Sequence, residues 1–173
     1  MTELWPHIAI LGFVTAQRLI ELPIARANTA RLLALGGREV APGHYPLIVA
    51  LHAAWLISLC VFALGRPIDL PLLILFGIVE LARIWVLRSL GNRWTTRIIV
   101  VPGEQLVARG PYRFVSHPNY LVVAAELLIL PLVFGLWQIA LLFTVLNAMI
   151  LTVRIRAENR ALAKNATQES VRP

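Results

Sequence analysis

Charge is scarce in this chain. Only 14% of its 173 residues are Asp, Glu, Lys or Arg, against 58% hydrophobic residues, whereas a soluble domain carries about a quarter of its residues charged. With a mean hydropathy of +0.74, a water-facing globule is excluded as the default reading. Acids are scarcer than bases, 9 against 16, for a net charge of +7. That surplus does not argue for nucleic acid, because the basic residues fall in the gaps between apolar runs, the pattern by which a membrane protein sets its orientation. The one cysteine, Cys60, excludes an intrachain disulfide, and its place inside an apolar run predicts a small buried hydrophobe. A basic start is missing, and Gln17, Arg18 and Glu21 interrupt the first apolar run, so a cleavable signal peptide is not expected. No repeat halves suggest a transporter, no glycine-rich loop after a strand suggests a dinucleotide site, and no metal cluster is expected.

What is present are apolar runs long enough to cross a hydrocarbon core, which takes about 20 residues per helix. Five spans are expected, at residues 4–25, 46–64, 70–89, 118–134 and 137–153, within a single all-α membrane domain covering 1–173. Only Gly135 and Leu136 separate the last two, which predicts a tight antiparallel hairpin. Residues 154–164 have helix-forming composition and should continue the fifth span into the cytoplasm, followed by a polar, frayed tail. The segment after span one carries Arg26, Arg31 and Arg38. That after span three carries Arg93, Arg97, Arg109 and Arg113, and the C-terminal segment carries Arg154, Arg156, Arg160 and Lys164. Basic loops stay cytoplasmic, so the N-terminus is expected outside and the C-terminus in the cytoplasm. The loop from Arg93 to Arg113 is long for a connector, and Ile98–Val101, Pro102-Gly103 and Leu106-Val107 suggest a short hairpin within it.

Polar groups inside the spans are Gln17, Arg18, Glu21, His52, Glu80, Arg83, Glu126 and Asn147. Two readings stand side by side. One is interhelical hydrogen bonding, with Arg18 and Arg83 snorkelling to the interface; the other is a polar chamber open to the cytoplasm. Glu80 and Arg83 are three apart on one helix face and are expected to pair there.

Two motifs concentrate chemistry. Gly110-Pro111-Tyr112-Arg113-Phe114-Val115-Ser116-His117-Pro118-Asn119-Tyr120 enters the fourth span. Pro118 suits a first helical position, which puts His117 at the helix entrance beside free backbone N–H groups able to hold a carboxylate. Arg154-Ile155-Arg156-Ala157-Glu158-Asn159-Arg160-Ala161-Leu162 leaves the fifth span, with Arg154 and Glu158 four apart on one face. Taken singly, the tyrosines read as interfacial residues, and Arg154 with Glu158 as a surface salt bridge.

Taken together, the motifs resemble those of the isoprenylcysteine carboxyl methyltransferase family, G-x-Y-x-x-x-R-H-P-x-Y and R-x-x-x-E-E-x-x-L. The finer likeness is to a small bacterial branch often associated with type III polyketide synthases. It extends through Gln17 to Leu22, Arg26-Ala27-Asn28, Gly36-Gly37-Arg38-Glu39, His44-Tyr45-Pro46 and Leu51-His52. The resemblance implies a methyltransferase of the bacterial inner membrane that takes S-adenosylmethionine from the cytoplasm and a lipophilic acceptor from the bilayer. It implies that Glu104, Gln105, Leu106 and Val107 line the cofactor through their backbone. Tyr112, His117, Pro118, Asn119 and Tyr120 would complete the pocket, Glu158 would accept from polar groups of the cofactor, and Arg154 would face the reacting oxygen. Gln17, His52, Glu126 and Asn147 are candidate liners of an acceptor tunnel. The implied acceptor is the hydroxyl of a long-chain alkylpyrone or alkylresorcinol. A prenylcysteine carboxylate, a phospholipid amine and a thiol are alternatives, and a non-enzymatic membrane protein is the rival from another class. Three positions depart from the family pattern: Ser116 for arginine, Asn159 for the second glutamate and Val122 for a frequent glycine.

Overall fold

The computed structural model describes residues 4–104 and 107–170, with side chains through residue 163. Five α-helices dominate it: α1 (Trp5–Ala34), α2 (Tyr45–Phe62), α3 (Leu70–Leu90), α4 (Pro118–Val133) and α5 (Trp137–Ser170). Among the described residues, four of these are long and apolar enough to cross a membrane. The fifth, α4, has 16 residues, or about 24 Å at 1.5 Å per residue. The first helix runs nine residues past the expected end of its span, through Pro23 and on to Ala34, because the basic stretch after Ala25 contains no further helix breaker before Gly36. The fifth helix carries the residue 154–164 stretch as a direct continuation, as expected.

The helices share two ends. At one end, His7 of α1 meets the Arg66 carbonyl at 2.8 Å and stacks on Phe134, while the Asp69 N–H donates to the Val133 carbonyl at 2.8 Å. The α4–α5 hairpin turns here. Gly135, at φ +66°, closes it with paired bonds from Gly135 N–H to Leu132 and from Leu136 N–H to Pro131, an ending that needs the left-handed conformation glycine adopts freely. The other end holds the loops. There a two-residue strand, β1 (Arg38–Glu39), pairs antiparallel with β2 (Ile99–Val100), Arg38 opposite Val100. The Ile98–Val101 run therefore finds its partner 60 residues away rather than in a local hairpin with Leu106-Val107; of these two, Leu106 lies outside the described residues.

Between the ends, Leu11, Val14, Leu51, Trp55, Leu59, Phe76, Leu127, Leu130 and Phe143 form one apolar core drawn from all five helices. Large apolar side chains also cover the outside, among them Phe13, Ile57, Ile78, Leu141 and Met149. An apolar exterior over an apolar core is what a lipid solvent permits. Cys60 belongs to that exterior rather than to the core.

Four charged side chains meet inside this apolar body. Arg83 of α3 donates to Glu21 of α1 through Nε at 2.7 Å and to both oxygens of Glu126 of α4 at 3.0 and 2.9 Å. Arg18 closes the set onto Glu126 and Glu21. Arg83 is 3% exposed and Glu126 0%, so Arg83 does not snorkel. Its carboxylate partners come from two other helices, and the expected pair within α3 gives way to them. Glu80 turns instead toward Gln17.

Gly110 brings a loop close against α3. It sits at φ +59°, and a Cβ there would fall 2.1 Å from the Ser89 hydroxyl and 3.3 Å from the Trp85 indole nitrogen. Gly110→Ala is expected to cost about 1–3 kcal/mol through that overlap, read as a lower unfolding midpoint in detergent. An unchanged midpoint would show that the turn can back away from α3 freely.

Candidate functional site

A cavity of about 750 Å³ opens at the loop end, walled by residues 93–104, the 3-10 turn Gly110–Arg113, the start of α4 and the last buried turns of α5. Its size lies within the range of small-molecule sites. The local reasons for its shape are readable. Pro118 opens α4, so Asn119 and Tyr120 are carried on a rigid first turn. Arg109, through Nε, donates to the Ser89 carbonyl at 2.9 Å and ties the following 3-10 turn to α3. Asn28 of α1 donates to the Trp94 carbonyl at 2.8 Å and fixes the opposite wall.

Tyr120 is the centre of the polar geometry. Its hydroxyl donates to Glu158 at 2.7 Å. The Arg154 Nε approaches the same hydroxyl at 3.5 Å, and its guanidinium carbon lies 5.6 Å from the Tyr120 ring centre. Arg154 and Glu158 thus meet through this hydroxyl, where their spacing alone had suggested a simple salt bridge. The second arm of Arg154 donates to the Thr96 carbonyl at 3.0 Å, and the side chain is 5% exposed. His117 stacks on Tyr120 with ring centres 5.3 Å apart, and its Nδ1 is 3.7 Å from Glu158. Burial first, then the Glu158 and Tyr120 charges, push the Tyr112 phenol well above its usual range. It stays protonated at neutral pH and offers a donor, not a base.

Of the residues expected at the site, Glu104, Val107, Tyr112, His117, Asn119, Tyr120, Arg154 and Glu158 line this one cavity. Pro118 is buried behind it, and Gln105 and Leu106 lie outside the described residues. The departing positions Ser116 and Asn159 reach the same lining. The four candidate tunnel residues do not. Glu126 is the doubly paired anion of the mid-bundle cluster, and His52 bonds the Ile48 carbonyl of its own helix at 2.8 Å. Gln17 and Asn147 each keep one buried polar atom without a partner among the described residues, Gln17 Oε1 and Asn147 Nδ2.

Other contributors escape a reading by local spacing. Trp94 is 4% exposed, lines the cavity, and has an indole N–H without a partner among the described residues. Thr96 holds Arg154 from 58 positions away. Arg97 pairs with Glu39 at 2.8 Å and lies 4.4 Å above the Tyr45 ring, locking the strand pair to the start of α2. Arg93 pairs with Glu104 at 2.6 Å. The only local signal for this wall is the unusual length of the loop.

Residues 72–164 match the isoprenylcysteine carboxyl methyltransferase family. The chain is 40% identical over 163 residues to the uncharacterized protein YpbQ of Bacillus subtilis, covering 91% of this chain and 95% of that one. It is 27% identical over 159 residues to an uncharacterized protein of Haemophilus influenzae, covering 87% and 91%. No solved structure matches.

Proposed function

The chain belongs to the isoprenylcysteine carboxyl methyltransferase family of membrane methyltransferases, and from that premise we propose that it is an S-adenosylmethionine-dependent O-methyltransferase of the bacterial inner membrane acting on a lipophilic acceptor. The observation that carries this reading is the convergence of Tyr112, His117, Tyr120, Arg154 and Glu158 on a single 750 Å³ cavity. The donor set suits the cofactor. Carboxylates at Glu158 and Glu104 match an ammonium and ribose hydroxyls, and the Arg93 guanidinium matches a carboxylate. The stacked rings of His117 and Tyr120 suit a sulfonium cation, and the unpartnered Trp94 N–H suits an acceptor on the adenine or ribose.

When bound, the cofactor would supply an electrophilic methyl group, which an acceptor oxygen would take in line as the carbon–sulfur bond breaks and the neutral thioether leaves. What the chain contributes is placement and charge. Thr96 and Tyr120 hold Arg154 with its guanidinium against the cavity, where it stabilises negative charge on an acceptor oxygen before and during transfer. The surrounding apolar wall, Ile98 to Val101 with Leu162, excludes water and keeps donor and acceptor aligned. A carboxylate acceptor needs only that alignment. A phenol or enol also needs its anion stabilised.

The acceptor we favour is the hydroxyl of a long-chain alkylpyrone or alkylresorcinol, with a functional link to a polyketide synthase. Carboxyl methylation of a prenylcysteine-like acceptor is the second reading, favoured by the family description itself. The pH profile separates them: turnover on a phenol or enol rises with pH until the acceptor ionises, whereas turnover on a carboxylate is flat above about pH 5. Calorimetric titration of the detergent-purified protein with S-adenosylmethionine, and separately with NADPH, tests the reading as a whole. Absence of methyl-donor binding sinks it. Glu158→Ala is expected to weaken donor binding about tenfold or more, the worth of a charge-assisted hydrogen bond. An unchanged dissociation constant would remove Glu158 from the cofactor site.

All five helices are proposed to cross the bilayer, with the N-terminus outside and the cavity on the cytoplasmic side. Alternating helix ends and basic residues gathered at the loop end support this orientation. A reporter fused after residue 173 that is active only in the periplasm should stay silent; activity there would reverse the topology.

A further inference from the structure

A second cavity, of about 530 Å³, shares a wall with the first through Arg93 and Glu104. Arg31, Arg93 and Arg109 line it against a single carboxylate, that of Glu104. Arg93 pairs with Glu104, and Arg109 keeps its Nε on the Ser89 carbonyl. Arg31 is exposed in the last turn of α1 and has no carboxylate partner among the described residues. Cations near a helix C-terminus offset its dipole, which accounts for one arginine on α1. It does not account for three arginines lining one concavity.

Planar guanidinium forks in excess over acid match phosphate oxygens. The surroundings say which phosphate. Leu35 and Leu90 also line the cavity, and Leu33 and Leu35 present exposed apolar surface beside it, 44% and 60% exposed. The whole lies at the end of the bundle where the helices leave their apolar band. A free anion has no use for that apolar rim, whereas a lipid has a phosphate and an acyl chain joined at this depth.

We infer that this cavity binds the head-group phosphate of an anionic phospholipid, with Arg31 and Arg109 as its ligands and the Leu33–Leu35 surface against its acyl chain. The site adjoins the proposed methyl-donor site at Arg93 and Glu104, but its ligands Arg31 and Arg109 take no part in the proposed methyl transfer.

The test is native mass spectrometry of the full chain released from micelles containing phosphatidylglycerol or phosphatidylcholine, with thermal unfolding alongside. The expected result is one retained phosphatidylglycerol, little retained phosphatidylcholine, and retention reduced about fivefold or more by Arg31→Gln. Arg26→Gln, which removes an exposed arginine outside the cavity, should leave retention within about twofold of the parent on the same reasoning. Equal retention of both lipids overturns the inference, as does an equal loss in the two variants, which marks diffuse surface attraction. Unchanged retention with a lowered lipid-free unfolding midpoint in Arg31→Gln assigns the residue to helix capping and also overturns it. Finally, if inorganic phosphate alone raises the midpoint as far as phosphatidylglycerol does, the ligand is a free anion and not a lipid.

Discussion

Replacing Arg154 with alanine is expected to lower methyl transfer to a phenol or enol roughly a hundred- to thousandfold, the usual consequence of removing a group that stabilises an oxyanion on which the reaction depends. Donor affinity should change less, because Tyr120 alone among Glu158, His117, Tyr120 and the Trp94 N–H takes a bond from Arg154, and its hydroxyl keeps Glu158 as a partner. The guanidinium is held by two partners, the Thr96 carbonyl at 3.0 Å and the Tyr120 hydroxyl at 3.5 Å. Alanine therefore also frees the wall at Thr96. The catalytic and the supporting roles separate by measurement: loss of charge stabilisation falls on kcat, whereas a loosened wall raises the donor dissociation constant and lowers the unfolding midpoint. Arg154→Lys sharpens the distinction. It restores the charge without the fork that spans both partners, so a partial return of turnover is expected. Equal loss of donor binding and turnover in Arg154→Ala would make the residue a support for the pocket and nothing more.

The second large effect lies outside the cavity. Arg83→Leu should destabilise the fold by about 3–5 kcal/mol, the cost typical of breaking a buried ion pair from one side. Glu21 and Glu126 would then remain in an apolar body with only Arg18 between them. Removing a balanced pair instead, Arg83→Met together with Glu126→Met, leaves Arg18 beside Glu21 at 3.5 Å. That variant is expected to recover most of the loss, since well-packed hydrophobic residues often replace a buried pair at little cost. Unfolding titrations in mixed micelles read both. A single variant within about 1 kcal/mol of the parent, the range of exposed pairs, would show that water reaches the cluster. Activity measured on the same variants then decides what remains of Glu126 as an acceptor-tunnel residue.

Much of the candidate site was legible through the family resemblance, whose motifs sit at short, regular spacings. Tyr112, His117 and Tyr120 flank a proline that opens a helix, and Arg154 and Glu158 lie four apart on another. Spacing of that kind survives folding, as helical geometry is local. The same locality misled at Glu80 and Arg83. Three-residue spacing permits a pair within α3, but Glu21 and Glu126 on neighbouring helices offer Arg83 four carboxylate oxygens, and the lone Glu80 cannot match them. Cys60 shows a different failure. An apolar run places a residue within the bilayer but not on its inner or outer face, and nearly uniform apolarity leaves no pattern to tell the two apart.

The amino-acid sequence by itself determined that this chain lives in a membrane, that it is built of apolar helices with a tight turn at Gly135, and that two motifs bring acid, base and aromatic groups to helix ends. Run length, composition and local spacing are properties of one dimension, and hydrocarbon leaves the backbone few alternatives to a helix. Only the tertiary structure decided that Ile99-Val100 pairs with Arg38-Glu39, that Thr96 secures Arg154, and that Arg83 bridges α1 and α4. Each of these joins residues about 40 to 60 positions apart. Which partners meet there depends on how the helices pack and on which buried charge finds the most complete set of opposite charges, and neither can be read from neighbours along the chain.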